Sequence, residues 1–233
     1  MPTCGVIPAA GRGLRLGLPF PKPLARLAGR PLIGWVVEAI APHVDELVVV
    51  IGPGHENAFA QAVFEAGWRG PLVLATQPRA VGSADAVRRG LQAAAGQRCL
   101  VVWGDQVGAR GATAARLARL MCQSPGSSVL PVTRGGDADL WLDVDTVGRV
   151  LAVRRDAATT NARRDIGVFG LDRDSALEAL GALTALDFEE ILPVLSAAGE
   201  LIVAEVADLS EGTGIDTRRQ LRRALARMGL IGA

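Results

Sequence analysis

Three glycines stand close together near the start of the chain, in the stretch PAAGRGLRLGLPFPKPL at residues 8–24. Glycine backbone lets N–H groups approach phosphate oxygens closely, so a glycine-rich loop after a short apolar strand is typical of a phosphate site. Such loops usually lead into a helix, but the prolines at 19, 21 and 23 disfavour a helix here. The stretch therefore predicts a phosphate loop followed by a rigid, extended segment, with a purely structural tight turn as the alternative.

Lys22, within this stretch, is the only lysine among the 25 basic residues of the chain. All the remaining basic positions are arginine. A single lysine therefore indicates a place where a compact ammonium is needed rather than a planar guanidinium. Chance is the competing explanation. We expect the Lys22 ammonium to reach towards the bound phosphates.

Two aspartates are placed to bind a divalent cation. Asp105 follows a predicted strand at 99–103 through Gly104, and open parallel sheets bind ligands at that end of their strands. Carboxylate oxygens suit Mg²⁺, a hard cation. Asp216, in the turn-rich GTGID at 212–216, is a second candidate ligand, with helix capping as its alternative role.

Gln77 follows another predicted strand and leads through Gly82 and Ser83 into a predicted helix. A glutamine amide offers both a donor and an acceptor, which is what reading the edge of a nucleobase requires. The amide can turn over, so Gln77 does not separate uracil from cytosine. Ser83 is also expected to cap the helix.

Short apolar runs alternate with helical patterns up to about residue 133. This alternation predicts an α/β fold of Rossmann-like type, with a mixed, mostly parallel sheet covered by helices on both faces. We expect strands at 4–8, 46–51, 72–75, 99–103 and 127–132, and helices near 31–41, 56–66, 83–95 and 112–122.

The pattern changes in the second part of the chain. It predicts a small antiparallel part, with strands in 140–156 and 165–171, helices near 173–183 and 187–198, a strand at 201–206 and a last helix from Thr217. We expect one domain over 1–233, with 1–133 binding the nucleotide and 134–233 binding the acceptor and completing the metal site.

Composition excludes several classes of protein. The net charge of +1 gives no basic field for nucleic acid or a membrane surface, and no apolar run reaches the length of a membrane span. The N-terminus does not resemble a signal peptide, so we expect a cytoplasmic protein. Three widely spaced cysteines favour buried, reduced thiols over a disulfide set or a zinc site.

Four pieces of the sequence together resemble the NTP-dependent sugar-phosphate nucleotidyltransferases. AAGRGLR, PK, QPRAVGS and GD occur in the order and at the spacing of that family, and DIGVFGL and GIDTRRQL are similar to its later segments. The likeness spans about residues 4–225 and is closest to the uridyltransferase domain of bacterial N-acetylglucosamine-1-phosphate uridyltransferase. The resemblance implies a GT-A-like nucleotidyltransferase fold.

The resemblance also implies roles for individual residues. The nucleotide would lie on the loop, with its phosphates on basic side chains and its base near Gln77. The DIGVFGL strand would lie beneath the acceptor sugar. By role, these residues are the catalytic Lys22, Arg15 and Asp105; the nucleotide-binding Pro8, Ala9, Ala10, Gly11, Arg12, Gly13, Gln77, Gly82, Ser83 and Gly104; the Mg²⁺ ligands Asp105 and Asp216; and the acceptor-binding Arg155, Asp165 and Gly167.

The chain departs from the family at the acceptor side. The family's Glu and Asn are replaced by Arg and Asp around Arg155 and Asp165, so the acceptor is not assigned as N-acetylglucosamine 1-phosphate. Of the four arginines Arg154, Arg155, Arg163 and Arg164, we expect most to form a solvated face and one or two to bind an acidic group of the acceptor.

The expected reaction is transfer of a nucleotidyl group, UTP favoured, to a phosphorylated small molecule, with pyrophosphate released. A CTP-dependent enzyme for a sugar acid, polyol phosphate, phosphocholine or phosphonate is the alternative, and a non-catalytic nucleotide-binding regulator is a more distant one. A Rossmann oxidoreductase is disfavoured, because no G-x-G-x-x-G opens a helix. We expect a monomer or homodimer.

Overall fold

The computed structural model describes residues 2–11, 13, 16–134, 140–155, 162–184, 186–205, 213–215 and 217–227. Arg12, Arg15 and Asp216 therefore lie outside the described residues. The strands are β1 (Thr3–Pro8), β2 (Arg26–Leu27), β3 (Arg30–Pro31), β4 (Glu46–Ile51), β5 (Leu72–Thr76), β6 (Arg98–Val102), β7 (Ser128–Thr133), β8 (Trp141–Val144), β9 (Val150–Arg154), β10 (Ala162–Asp165), β11 (Val168–Asp172) and β12 (Leu201–Glu205). The helices are α1 (Leu32–Ile40), α2 (Glu56–Glu65), α3 (Ser83–Ala93), α4 (Gly111–Gln123), α5 (Arg173–Ala182), α6 (Leu192–Ala197) and α7 (Arg218–Arg227).

Ten of these strands form one sheet in the order β5-β4-β1-β6-β11-β7-β10-β8-β9, with β12 beside β7. The run β5-β4-β1-β6 is parallel. The chain moves from β1 outwards to β4 and β5 and then returns to place β6 on the other side of β1. Such a reversal opens a crevice at the carboxyl ends of the two central strands, where ligands of open α/β sheets bind. The crevice here lies beyond the ends of β1 and β6.

The other half of the sheet is mainly antiparallel. β11 runs antiparallel to β6 and β7, β10 to β7 and β8, and β8 to β9, whereas β12 is parallel to β7. β8 and β9 both lie within 140–156, where antiparallel strands were expected, and the chain turns between them. The strand expected at 165–171 is interrupted at Ile166 and Gly167, between β10 and β11, which run in the same direction and are both antiparallel to β7. Gly167 takes a φ of +71°, a conformation that extended strands do not have.

Helices cover both faces of the sheet. Apolar side chains of α3, α5 and α6 pack on one face with Val6, Val101 and Phe169, and those of α1, α2 and α4 pack on the other with Ile7 and Leu100. Neighbouring residues of β1 therefore enter opposite cores, which is why its sequence is apolar throughout. The α/β architecture with helices on both faces is confirmed.

A third, smaller core holds the last helix in place. Ile215 is fully buried against Leu16, Leu27 and Leu32, and α7 adds Ala224 to the same cluster. Segments from the two ends of the chain therefore pack together beside the crevice.

Two further expectations are wrong in detail. Lys22–Leu24 forms a 3₁₀ turn rather than an extended segment: Pro21 is its N-cap with a φ of −54°, and Pro23 lies in its first turn, where the fixed φ of proline is tolerated. Cys4 and Cys99 are buried, but Cys122 is exposed near the end of α4. In the described part of the chain, no helix is long and apolar enough to cross a bilayer.

Helix α3 approaches the sheet closely because Gly90 has no side chain. A Cβ there would lie 2.3 Å from Val6 Cγ1, inside the core, whereas a Cβ at Gly181 in α5 would meet nothing within 4 Å. We expect Gly90→Ala to lower the free energy of unfolding by about 1–3 kcal/mol through overpacking. Gly181→Ala is the matched control and should raise it by up to about 1 kcal/mol through helix propensity. Urea unfolding measures both, and equal effects of the two substitutions would contradict this packing.

Candidate active site

The glycine loop and Asp105 follow neighbouring strands and lie on the two sides of the crevice. Gly104 N donates to Pro8 O at 3.1 Å, which ties the ends of β1 and β6 together. A Cβ at Gly104 would lie 3.2 Å from Ala9 Cβ and 3.1 Å from Pro23 Cγ, so only glycine fits without displacing a neighbour. The close approach brings Asp105 to the base of the glycine loop.

Lys22 is held against the same loop. Its backbone N donates to Gly11 O at 3.3 Å, and a Cβ at Gly13, where φ is +66°, would lie 3.0 Å from Lys22 Cβ. From this position Lys22 Nζ forms an ion pair with Asp105 Oδ2 at 2.5 Å, and both side chains are mostly buried. The structure thus brings together the single lysine and the aspartate that the sequence singled out.

The segment before α7 returns to the same point. Ile215 N donates to Asp105 O at 3.2 Å, and a Cβ at Gly214 would lie 3.8 Å from Asp105 Oδ2. Asp216 itself lies outside the described residues. The capping role considered for it is filled by Thr217, which exchanges hydrogen bonds with Gln220 in a capping box.

The Gln77 loop forms another wall of the crevice. Gly82 rather than Ser83 is the N-cap of α3, with a φ of +115° that a side chain would strain. Ser83 Oγ instead accepts from Phe188 N at 2.9 Å. The Gln77 Nε2 atom donates to Gly82 O at 3.0 Å and to Asp85 Oδ2 at 3.1 Å, so the amide is held in one orientation, contrary to the expectation that it turns over.

Acidic side chains also gather along the crevice, from Asp165 and from the segment 187–189. Asp165 Oδ1 accepts from Gly167 N at 2.7 Å, and Asp187 pairs with Arg155 at 2.7 Å. Burial raises the pKa of Asp165. Burial, and then the charge of Asp165, raise the pKa of Glu189 to about 7. Burial disfavours the charged form of a carboxylate, and carboxyl groups with pKa values shifted in this way are common at binding sites.

Two of the four arginines of this region, Arg155 and Arg164, line the crevice. Arg154 pairs with Asp143 at 2.5 Å and Arg163 with Glu205 at 2.9 Å. The expected solvated face is not formed by Arg163 and Arg164, because both side chains are largely buried.

Sequence reasoning did not select several residues that line the crevice. Trp103 packs edge-on against Phe169 and Phe188, and Gln106 Nε2 donates to Ile166 O at 2.6 Å, which holds the backbone between β10 and β11. The acidic run Asp187-Phe188-Glu189-Glu190 was an available signal, and Asp187 and Glu189 both line the crevice. The lining residues that were not selected include Trp103, Gln106, Leu140, Asp187, Glu189 and Gln220.

The crevice has a volume of about 580 Å³, large enough for a nucleotide and a small second substrate. Its lining includes Pro8, Ala9, Ala10, Gly11, Lys22, Gln77, Gly82, Ser83, Asp105, Arg155, Asp165 and Gly167. Gly13 and Gly104 adjoin it through their contacts with Lys22 and Pro8. The arrangement combines backbone N–H groups, an ammonium and a carboxylate, which is suited to holding polyphosphate.

The carboxylate chemistry fits Mg²⁺. Mg²⁺ in proteins takes one or two carboxylates and completes its shell with phosphate and water oxygens. Within the described ranges, no group of three or more His, Cys, Asp and Glu side chains could hold a metal ion. Asp105 places carboxylate oxygens, which suit Mg²⁺, beside the glycine loop, and Ile215, adjacent in sequence to Asp216, contacts its backbone.

Curated relatives match almost the whole chain. The bifunctional protein GlmU of Rhodopseudomonas palustris is 32% identical over 241 residues, covering 96% of this chain and 52% of that protein. GlmU of Streptomyces coelicolor is 31% identical over 242 residues, covering 96% and 50%. The chain therefore spans about half the length of the curated relatives it matches.

Solved structures share the fold. A UDP-glucose pyrophosphorylase complexed with UDP-glucose superposes with a TM-score of 0.79 at 14% identity, covering 98% of this chain and 99% of that one. The inositol-1-phosphate CTP transferase from T. maritima gives a TM-score of 0.76 at 16% identity, covering 97% and 95%.

The family comparison agrees with the fold and with the resemblance that the sequence carries. Residues 5–228 match the MobA-like NTP transferase domain. The chain thus belongs to the MobA-like NTP transferase domain family and is a nucleotidyltransferase.

Proposed function

We propose that the protein is a Mg²⁺-dependent nucleotidyltransferase that joins an NTP, UTP favoured, to a sugar 1-phosphate or a similar phosphorylated metabolite. Pyrophosphate leaves and an NDP-sugar forms. The observation that carries the proposal is the ion pair of Lys22 with Asp105 at 2.5 Å, beside the glycine loop and inside the crevice. This position unites a cation, a carboxylate and a phosphate-binding backbone at one point.

The reaction needs positioning more than acid–base chemistry. A phosphate oxygen of the acceptor attacks the α-phosphorus of the NTP, and the bond from that phosphorus to the pyrophosphate oxygen breaks. A phosphomonoester has a second pKa of about 6, so its oxygen is largely ionised at neutral pH and needs no general base. Bringing two anions together is the difficulty, and in-line positioning with charge neutralisation overcomes it.

The chain's own residues divide this task. The backbone of residues 9–13 holds the triphosphate, and Lys22 stabilises negative charge that develops around the reacting phosphorus. The 3₁₀ turn and its flanking prolines keep the lysine segment close to the loop, so little entropy is lost when substrates bind. Arg15 is assigned to the phosphates through the family resemblance.

Mg²⁺ is the proposed cofactor, and Asp105 and Asp216 are its proposed ligands. The bound ion would supply neutralisation of phosphate charge next to the reacting centre. Asp105 also keeps the Lys22 ammonium aimed into the crevice, because the two side chains are in direct contact.

The acceptor is proposed to bind at the end lined by Arg155, Asp165 and Gly167. Carboxylates such as Asp165 and Glu189 accept hydrogen bonds from hydroxyl groups and also attract an ammonium group. These carboxylates support a second candidate function: a CTP-dependent enzyme whose acceptor carries an ammonium group, as phosphocholine does.

A matrix of substrates tests the proposal. Each of the four NTPs is combined with sugar 1-phosphates, polyol phosphates, phosphocholine and phosphonates in Mg²⁺, and pyrophosphate release is measured. We expect one NTP and one acceptor class to give turnover that EDTA abolishes. Nucleotide binding without turnover on any acceptor would support the non-catalytic regulator instead.

Removing the ammonium tests the mechanism. We expect Lys22→Ala to lower kcat by about 10²–10³, roughly 3–4 kcal/mol of barrier, because the developing charge loses its cation. Lys22→Arg should stay at least about tenfold below wild type, since a planar guanidinium does not replace a compact ammonium here. Arg149→Ala, which breaks the exposed pair with Asp145, is the control and should be silent. Activity of Lys22→Ala within about threefold of wild type would refute the role.

The partly buried carboxylate of Glu189 predicts a pH-dependent stability. Glu189 has a pKa raised from 4.5 to about 7, so the folded protein binds more protons than the unfolded chain between these values. Stability attributable to this group is therefore highest below pH 4.5 and falls as the pH rises to about 7. We expect Glu189→Gln to stabilise the protein at pH 8, on the order of 1–3 kcal/mol, and much less at pH 5.

Thermal unfolding at both pH values measures the effect, and Glu190→Gln, an exposed neighbour, is the control. A gain for Glu189→Gln that is the same at pH 5 and pH 8 would show that Glu189 is not a buried, titrating group.

A further inference from the structure

Both hydrogens of the Gln77 amide nitrogen are bonded to acceptors within the protein. Gln77 is 5% exposed, and its Nε2 atom donates to Gly82 O at 3.0 Å and to Asp85 Oδ2 at 3.1 Å. An amide nitrogen has two hydrogens, so these two bonds exhaust its donors.

Neither partner permits the amide to turn over. Gly82 O is a carbonyl oxygen and can only accept. Asp85 also accepts from Arg89 Nε at 2.8 Å. Burial would raise the pKa of Asp85, but the hydrogen bonds from Arg89 and Gln77 lower it overall, so Asp85 is a carboxylate at neutral pH. A reversed amide would place Oε1 against two acceptor oxygens and leave both without this donor.

The orientation leaves the carbonyl oxygen for the crevice. Gln77 lines the crevice between the glycine loop and the start of α3, and no residue in the described part of the chain donates to Oε1. The side chain therefore offers any ligand there an acceptor and no donor.

We propose that Asp85 is a positioning residue for nucleobase selection, which fixes Gln77 so that its Oε1 accepts from an N–H on the edge of the base. The inference rests on the proposed function, because it assigns the NTP base to this wall of the crevice. A base that presents an acceptor atom at the same place is rejected, since two acceptors would face each other without a hydrogen.

This polarity separates uracil from cytosine. Ring atom N3 is a donor in uracil and an acceptor in cytosine, and the neighbouring exocyclic group is an acceptor in uracil and a donor in cytosine. An amide free to turn accommodates either base, whereas a fixed carbonyl oxygen accommodates one of them at a given position. Asp85 thereby acts on selectivity without touching the nucleotide.

Blocked nucleotides test the hydrogen bond in the wild-type protein. The preferred NTP is compared with its analogue methylated at the donor nitrogen, for example 3-methyl-UTP or N4,N4-dimethyl-CTP, and with the 5-methyl analogue as the control for added bulk. We expect the blocked analogue to lose at least about tenfold in kcat/KM and the 5-methyl analogue to lose less than about threefold. Equal use of the blocked and 5-methyl analogues would overturn the inference.

Variants test the positioning role. In Asp85→Asn the new amide can donate to Gln77 Oε1, so only Gly82 O still opposes the reversed amide, and the preference for one pyrimidine NTP over the other should fall about tenfold or more. With the preferred NTP at saturation, kcat should change less than about threefold, since the reacting groups are untouched. Asp145→Asn, which alters another Asp–Arg pair at i and i+4, should leave the preference intact. An unchanged preference in Asp85→Asn would overturn the inference.

Equilibrium binding of NTPs keeps the two hypotheses distinguishable. If no acceptor gives turnover, the proposed function fails. Wild-type protein that binds one pyrimidine NTP selectively, with the selectivity reduced in Asp85→Asn, would still support the positioning of Gln77 by Asp85. If the enzyme turns over and Asp85→Asn keeps the wild-type NTP preference, the positioning role of Asp85 is overturned, whereas the proposed function is supported. Failure to bind any NTP overturns both.

Discussion

The contact between Lys22 and Asp105 depends on a close approach of two backbone segments that are 83 residues apart in sequence. Strands β1 and β6 are neighbours in the sheet, and the hydrogen bond from Gly104 to Pro8 holds their carboxyl ends together. Side chains at Gly104 or Gly13 would push the loop away from the lysine or the aspartate. The geometry of the phosphate end of the crevice is therefore a consequence of glycine at these positions.

The wall of the crevice formed by the Gln77 loop packs against the segment that carries the acidic run 187–190. Gly82 packs directly against Leu186 O, and Ser83 accepts from Phe188, so the base-side wall and the acidic run touch. Trp103, Phe169 and Phe188 form an aromatic cluster beneath both. Rigid support of this kind keeps charged groups at fixed distances, which is what electrostatic catalysis requires. The last helix adds a further constraint through Ile215, which is buried beside Asp105.

Much of the architecture could be predicted from patterns in the sequence. The apolar runs of β1, β4 and β6 and the helical periodicity between them indicate a sheet covered on both faces, because buried parallel strands must be apolar throughout. The errors were local. The expected strand at 165–171 is interrupted at Ile166 and Gly167, and prolines around Lys22 produce a 3₁₀ turn rather than an extended segment. In both places a backbone torsion outweighed the pattern of hydrophobic residues.

The sequence by itself determined the chemical groups: a glycine loop, a lone lysine, and an aspartate after a buried strand. Residue types and their order along the chain carry this information, since the chemistry belongs to the side chains. Only the tertiary structure decided which groups meet, as the acidic pair of Asp165 and Glu189 and the locked amide of Gln77 illustrate. The physical reason is that distance, burial and hydrogen-bond direction arise from packing between remote segments, and these quantities set both the pKa of a carboxylate and the polarity of an amide.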